Sequence, residues 1–427
     1  MKKLNKIQSL NCLVLHVELD NNDLDIIEYK LEEACNLVKS LNLKVVVSKL
    51  LRLRNPSSGH LLSKGLLSKI KMIIEEKDLE LIIFNNSITP IQQRNLEKFY
   101  RLKVIDRTQL ILEIFGERAK SHEGKLQVEL AHLIYQKSRL VRTWTHLERQ
   151  RGGYGFLGGP GETQLEIDKR LLNQRIKKIK SLLKKVEITR RIQHKNRTDN
   201  EIVIISIIGY TNAGKSTLFN KLLGENVISK NMLFSTLDPT RRIFKNYTQD
   251  KIIVSDTVGF ISDLPTELID SFKSTLEEIT SSDLIFHVRD LTSPFFEDDS
   301  KTVYEVLDKL NENIDGKVIE IFNKVDEIKL DELNIKLPKN SIFISAKFGI
   351  GFDKIYSAIS KKLSKNYLDI NLIINDNFGS VINWLHENSQ IINKELNNFG
   401  RYKFFIKISK INYNKLKSKY PTIVIEH

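Results

Sequence analysis

Between Cys12 and Ile105 the apolar residues alternate between two rhythms. Compact runs, "CLVLHVEL" (12–19), "KVVVSKL" (44–50) and "LELIIFNN" (79–86), read as strands. Between them, residues 27–39, 66–77 and 91–100 repeat their apolar positions with helical spacing. Strand and helix in alternation predict a small α/β subdomain over 1–120 with a mostly parallel sheet.

From His122 the rhythm changes. Leu126, Leu130, Leu133, Lys137, Leu140, Trp144 and Leu147 step by four and three, with Lys137 alone interrupting the apolar seam. After the glycine-rich break "RGGYGFLGGPGE", Leu172, Ile176, Ile179, Leu183 and Val186 repeat those steps. The pattern predicts an antiparallel helical hairpin over 121–198, each helix about 25 residues or roughly 40 Å long. Its second helix is strongly basic, with Lys177, Lys178, Lys180, Lys184 and Lys185 among the cations between Lys169 and Arg197. A basic helix joined to a projecting loop reads as an arm facing nucleic acid, and Tyr154 and Phe156 in that loop could stack on exposed bases.

Composition narrows the class. With 427 residues, 41% hydrophobic and 28% charged, the chain is globular and long enough for several cores. Its net charge of +14 favours an anionic partner. No stretch approaches the 18 or so consecutive apolar residues of a membrane span. The N-terminus lacks a signal-cleavage pattern, and Cys12 and Cys35 are isolated, so neither a disulfide framework nor a zinc knuckle is expected. A cytoplasmic protein without stable membrane insertion is the expectation, and a monomer.

Residues 199–365 return to α/β texture and carry the chemistry. "EIVIISIIGYTNAGKSTLFNKLLG" is an apolar strand running into Gly209, Tyr210, Thr211, Asn212, Ala213, Gly214, Lys215, Ser216 and Thr217, then an amphipathic helix. In such a P-loop the backbone N–H groups curl round phosphate oxygens, Lys215 reaches the β and γ phosphates, and Ser216 can ligate Mg²⁺. Asp256, at the end of "KIIVS", can hold Mg²⁺ through water, and Gly259 N–H can sense the γ-phosphate. Thr236, in "FSTLDPTRR", is the expected switch-one threonine. Asn323, Lys324 and Asp326 in "IFNKVDE" resemble the guanine-reading motif of translation-factor-like GTPases, and Ser345, Ala346 and Lys347 resemble the loop that backs the base. Adenine lacks the donors that such an Asp accepts, which excludes an ATPase. His287 and Asp290 have no matching nucleophile and read as scaffold. Residues 366–427 predict a small α/β unit, strand, helix, strand, with no catalytic constellation.

The switch and catalytic region, Thr236, Asp256, Gly259 and Phe260, poses a question. Many P-loop nucleotidases place Gln after the Asp-x-x-Gly turn to orient the attacking water. Phe260 cannot do so, and backbone groups, the closed switch or a partner would have to.

The chain resembles the HflX family of translational GTPases, most specifically in "VIDRTQLILEIF" (104–115), "EGKLQVELA" (123–131), "GGPGETQLEIDKR" (158–170), "FSTLDPT" and "DTVGFI". The resemblance implies an active Mg²⁺-dependent GTPase despite Phe260. It also implies an N-terminal region that binds the large ribosomal subunit and splits or rescues stalled ribosomes, particularly under stress. GTP-dependent large-subunit assembly is the alternative. The RNA-facing loop, near the peptidyl transferase centre, would be Arg151, Gly152, Gly153, Tyr154, Gly155, Phe156, Leu157, Gly158, Gly159, Pro160, Gly161 and Glu162, with Gly158 where many relatives have Arg.

Overall fold

The computed structural model describes residues 10–19, 23–143, 164–199, 202–224, 233–234, 236–244, 252–264, 279–309, 316–328, 341–364, 367–375, 379–396, 401–421 and 424–426, with single positions 268, 271, 272, 276, 314 and 338.

The first unit is a parallel sheet, β1 (Asn11–Glu18), β2 (Lys44–Arg52), β3 (Leu81–Phe84) and β4 (Lys103–Asp106), in the order β2-β1-β3-β4. Alternation along β1 explains its two coats. Cys12 and Val14 face α1 (Leu24–Ser40) and α4 (Arg107–Arg118), whereas Leu13, Leu15 and Val17 face α2 (Lys64–Lys77) and α3 (Pro90–Tyr100). Local chemistry fixes the helix starts. Thr89 Oγ1 accepts from Gln92 N and Gln92 Oε1 from Thr89 N, with Pro90 in the first turn.

Helices α5 (His122–Thr143) and α6 (Gln164–Asp199) pack antiparallel: Glu129 pairs with Arg175 and Glu123 with Arg190. Leu126, Leu130 and Ile179 fill the seam. At 36 residues, α6 is longer than the apolar repeat implied, about 54 Å. Its C-terminal extension is polar and carries no seam to read. Trp144, Leu147 and the RNA-facing loop from Arg151 to Glu162 lie outside the described residues.

The third unit is a six-stranded mixed sheet, β5 (Val203–Gly209), β6 (Thr240–Phe244), β7 (Ile252–Asp256), β8 (Leu284–Asp290), β9 (Val318–Asn323) and β10 (Ile342–Phe343). The order is β10-β9-β8-β5-β7-β6, with only β6 antiparallel to its neighbour. Every residue of the central β5 is buried, and α7 (Lys215–Leu223), α8 (Phe296–Asp308) and α9 (Phe352–Ser364) cover the sheet.

The last unit contains more than the strand, helix and strand read from sequence. β11 (Tyr367–Asn375), α10 (Gly379–Asn388), β12 (Gln390–Leu396), β13 (Arg401–Ser409), α11 (Lys410–Lys419) and β14 (Val424–Glu426) form a βαββαβ unit with the antiparallel order β12-β13-β11-β14. No helix among the described residues is long and apolar enough to cross a membrane.

Candidate nucleotide site

The apolar β5 drives straight to Gly209, whose φ of 147° and position leave no room for a side chain. An added Cβ would lie 2.2 Å from Val288 O. Gly214 (φ 92°) is equally constrained, because a Cβ there would meet Asn323 Nδ2 at 2.2 Å. Between them the chain turns through Asn212 at φ 63° and enters α7 at Lys215. A tight loop wrapped on a helix N-terminus is a concentration of N–H groups suited to an anion.

Lys215 is buried, and its Nζ donates to Tyr210 O at 2.6 Å. Burial lowers its pKa to about 8, against the opposing pull of the Asp256 charge. Phosphate oxygens would supply the negative charge that such a buried ammonium lacks.

Three oxygens converge beside it. Ser216 Oγ and Thr236 Oγ1 donate to Asp256 Oδ2 at 2.7 and 2.8 Å, and the two hydroxyls lie 3.1 Å apart. Asp256 Oδ1 is buried and has no hydrogen-bond partner among the described residues. Burial raises the Asp256 carboxyl above its ordinary range, opposed by Ser216 and by the Lys215 charge. Two hydroxyls and one carboxylate, its second oxygen without a partner, make a hard-oxygen set that fits Mg²⁺.

On the opposite side of the P-loop, Asn323 joins three segments: Nδ2 donates to Ala213 O at 2.8 Å and Oδ1 accepts from Ala346 N at 2.9 Å. One amide hydrogen is left for a base. Lys324 Nζ pairs with Asp290 at 2.5 Å, which holds the lysine stem along the loop. Asp326 and Lys347 are exposed, while Ser345 and Ala346 are buried in the turn. Of the pair expected to be scaffold, His287 is buried against Glu320, whereas Asp290 orients Lys324. A cavity of about 490 Å³ adjoins Asn212 and Lys324, with Asp25, Glu32 and Glu33 of α1 on its far wall.

Phe260 has its ring in the core. It is 3% exposed and packs with Ile208, Leu276, Ile279 and Ile285. Its backbone is fastened to the P-loop: Phe260 N donates to Gly209 O (3.1 Å) and Thr211 N to Phe260 O (2.8 Å). Gly259 is thereby set beside Lys215, close enough that a Cβ would lie 3.1 Å from Nζ.

Sequence reasoning missed how the segment around Thr236, switch one, and the segment that follows Asp256, here called switch two, are tied to the N-terminal region. Tyr210 Oη donates to Glu33 Oε2 at 2.5 Å and accepts from Ser262 N at 3.0 Å. Arg107 donates to Glu33 Oε1 (2.6 Å) and to Ser262 O (3.0 Å). Burial and the Glu33 charge push the Tyr210 hydroxyl up, so it stays a protonated donor. Asp238, two residues beyond Thr236, accepts from Lys120 N (2.8 Å), Ser121 N (2.7 Å) and Ser121 Oγ (2.5 Å) at the start of α5. Phe115 stacks edge-on with Phe234 and Phe272, placing both switches and α4 in one apolar cluster. The signal available in sequence was that Arg107 and Asp238 sit inside the segments "VIDRTQLILEIF" and "FSTLDPT", each otherwise unexplained by nucleotide chemistry.

Three family profiles match successive stretches: "GTP-binding GTPase N-terminal" at 28–116, "GTP-binding GTPase Middle Region" at 118–197 and "50S ribosome-binding GTPase" at 204–324. The chain is 41% identical to the GTPase HflX of Magnetococcus marinus over 86% of this chain and 85% of that protein. It is 35% identical to the GTPase HflX of Escherichia coli, covering 86% and 87%. The crystal structure of the SsGBP and GDP complex aligns at 26% identity over 82% of this chain and 99% of that one, with a TM-score of 0.48, too low to add to the sequence matches.

Proposed function

The chain belongs to the GTPase HflX family and hydrolyses GTP, and from that premise we propose that it binds the large ribosomal subunit and splits or rescues stalled or idle ribosomes. The observation that carries this reading is the bonding of both switches to the region bearing the basic hairpin. Asp238 ties switch one to α5, and Ser262 ties switch two to Arg107 and Tyr210. A γ-phosphate that repositions Thr236 and Gly259 thereby changes the seating of the arm.

The residues divide the work. The P-loop N–H groups and Lys215 hold the phosphates and stabilise charge as it develops on them. Ser216, Thr236 and, through water, Asp256 would hold Mg²⁺, which when bound neutralises charge on the β and γ oxygens. Asp326 accepts from guanine N1 and N2, the Lys324 stem covers the ring, and the Ser345–Lys347 turn backs it. Because the Phe260 ring faces the core, the attacking water is placed by switch backbone, by Thr236 or by the ribosomal partner. Competition binding checks the base: GTP should outcompete ATP by about tenfold or more, since each buried group left unpaired costs about 1–3 kcal/mol. Lys215→Ala should abolish productive phosphate binding, and equal affinity for both nucleotides would refute the assignment of Asp326.

Sedimentation with ribosomal particles in GDP, GTP and a non-hydrolysable analogue tests the function. Binding to monosomes followed by free subunits is expected. Enrichment only on immature large subunits would replace this reading with assembly, and no association under any nucleotide would reject both.

A further inference from the structure

Lys324 is anchored by a turn whose far end is held by the N-terminal region. It sits at φ 67°, a conformation that residues other than glycine rarely adopt, and its Nζ has one partner among the described residues, Asp290 Oδ2 at 2.5 Å. The other oxygen of Asp290 is fixed as well, accepting from Thr292 N (2.9 Å) and Thr292 Oγ1 (2.6 Å). From there the chain turns through Ser293 into α8: Ser293 N donates to Asp290 O at 3.4 Å and Phe295 N to Ser293 Oγ at 3.3 Å. At the end of this turn stands α1. Tyr29 Oη donates to Asp299 Oδ2 at 3.4 Å, Ser293 Oγ donates to the same oxygen at 3.0 Å, and the Tyr29 and Phe295 ring centroids lie 5.1 Å apart. Burial raises the Asp299 carboxyl to about 6, opposed by the Ser293 hydrogen bond, so at neutral pH it is the ionised acceptor of both hydroxyls. Tyr29, Ser293, Asp299, Asp290 and Lys324 all line the cavity of about 490 Å³ beside the P-loop.

We infer that Tyr29 of α1 is a positioning residue for the guanine site, and that the N-terminal region thereby sets the rate of nucleotide release. The inference rests on the assignment of the Lys324 stem to the guanine ring. For the base to leave, the stem that covers it has to swing aside, and Asp290 opposes that movement with a charge-assisted bond. Asp290 keeps its place through the turn from Thr292 to Asp299, and Tyr29 bonds that turn to the N-terminal region. The contact differs from those at Asp238 and Ser262, which belong to the phosphate side. It acts on the base, and so on exchange of GDP for GTP rather than on cleavage. The same helix carries Glu33, bonded to Arg107 and Tyr210, so one element reaches both sides of the nucleotide.

Release of fluorescent N-methylanthraniloyl-GDP from the full chain, chased with excess GDP in stopped flow, tests the inference. Tyr29→Phe keeps the ring against Phe295 and removes the hydroxyl; it should speed release about three- to tenfold, the worth of one hydrogen bond. Asp290→Asn keeps an acceptor for Thr292 but removes the charge facing Lys324. It should also speed release, and Tyr29→Phe should add nothing in that background. Inorganic tripolyphosphate, which has no base, should compete equally for wild type and Tyr29→Phe. Asp298→Asn, turned to solvent against Lys301, should release at the wild-type rate, and thermal melts confirm that each variant is folded. Faster release in Asp290→Asn but not in Tyr29→Phe overturns the inference alone, as do additive effects of the two or weaker tripolyphosphate binding by Tyr29→Phe. Unchanged release in Asp290→Asn overturns the assignment of Lys324, and the inference with it.

Discussion

At Phe260 the side chain and the backbone do different jobs. The ring anchors switch two in the cluster around Ile279 and Ile285, and the peptide groups on either side are hydrogen-bonded to Gly209 and Thr211. Phe260→Ala should therefore cost about 3–5 kcal/mol of stability, the range for emptying a buried aromatic site, and loosen the P-loop contact. Phe260→Gln should not raise turnover, because its amide would replace a ring that faces the core rather than the phosphates, and burying it unpaired costs about 1–3 kcal/mol. Thermal unfolding and single-turnover rates of both variants check this, and faster hydrolysis by the Gln variant would refute the assigned orientation. The turn from Gly209 to Gly214 and the helix starting at Lys215 were legible in sequence because one loop and one helix start dictate their spacing. Glu33 was not, since its partner Tyr210 is 177 positions away and nothing local marks a carboxylate as an interdomain acceptor.

Among elements, the join between switch one and α5 is the most consequential. Asp238 occupies the helix start, where two N–H groups and the Ser121 hydroxyl converge on its carboxylate. The capping side chain is Ser121, whose Oγ accepts from Gly124 N, and the Asp238 charge beside it is favoured by the helix dipole by about 0.3–1 kcal/mol. Asp238→Ala should accordingly lower ribosome-stimulated hydrolysis more than basal hydrolysis, compared in parallel single-turnover assays. Equal losses would mean the contact only stabilises the fold. Further along the arm, shortening the Gly152–Glu162 loop while keeping the basic helix should preserve weak, salt-sensitive ribosome association but abolish splitting or rescue. Undiminished activity would make the loop a linker. The hairpin itself was readable from the four-three repeat of Leu126, Leu130 and Leu133 against Ile176, Ile179 and Leu183. The full length of α6 was not, because after Val186 polar residues continue a helix whose apolar seam has ended.

For the whole molecule, sequence disclosed four successive textures but not how they meet. Their joining depends on long-range groups: the Arg107 guanidinium between Glu33 and Ser262, and the Phe115 ring between Phe234 and Phe272. No periodicity encodes such contacts. They join the N-terminal region to the segments carrying Thr236 and Gly259, and on the proposed reading a ligand seated on the arm would bias the site where GTP is cleaved, with the nucleotide biasing the arm in return. The most direct test is single-turnover GTP hydrolysis by the full chain, alone and with purified large subunits. Slow hydrolysis alone and marked acceleration by large subunits is the predicted result; a fast intrinsic rate that the subunits leave unchanged would contradict the account.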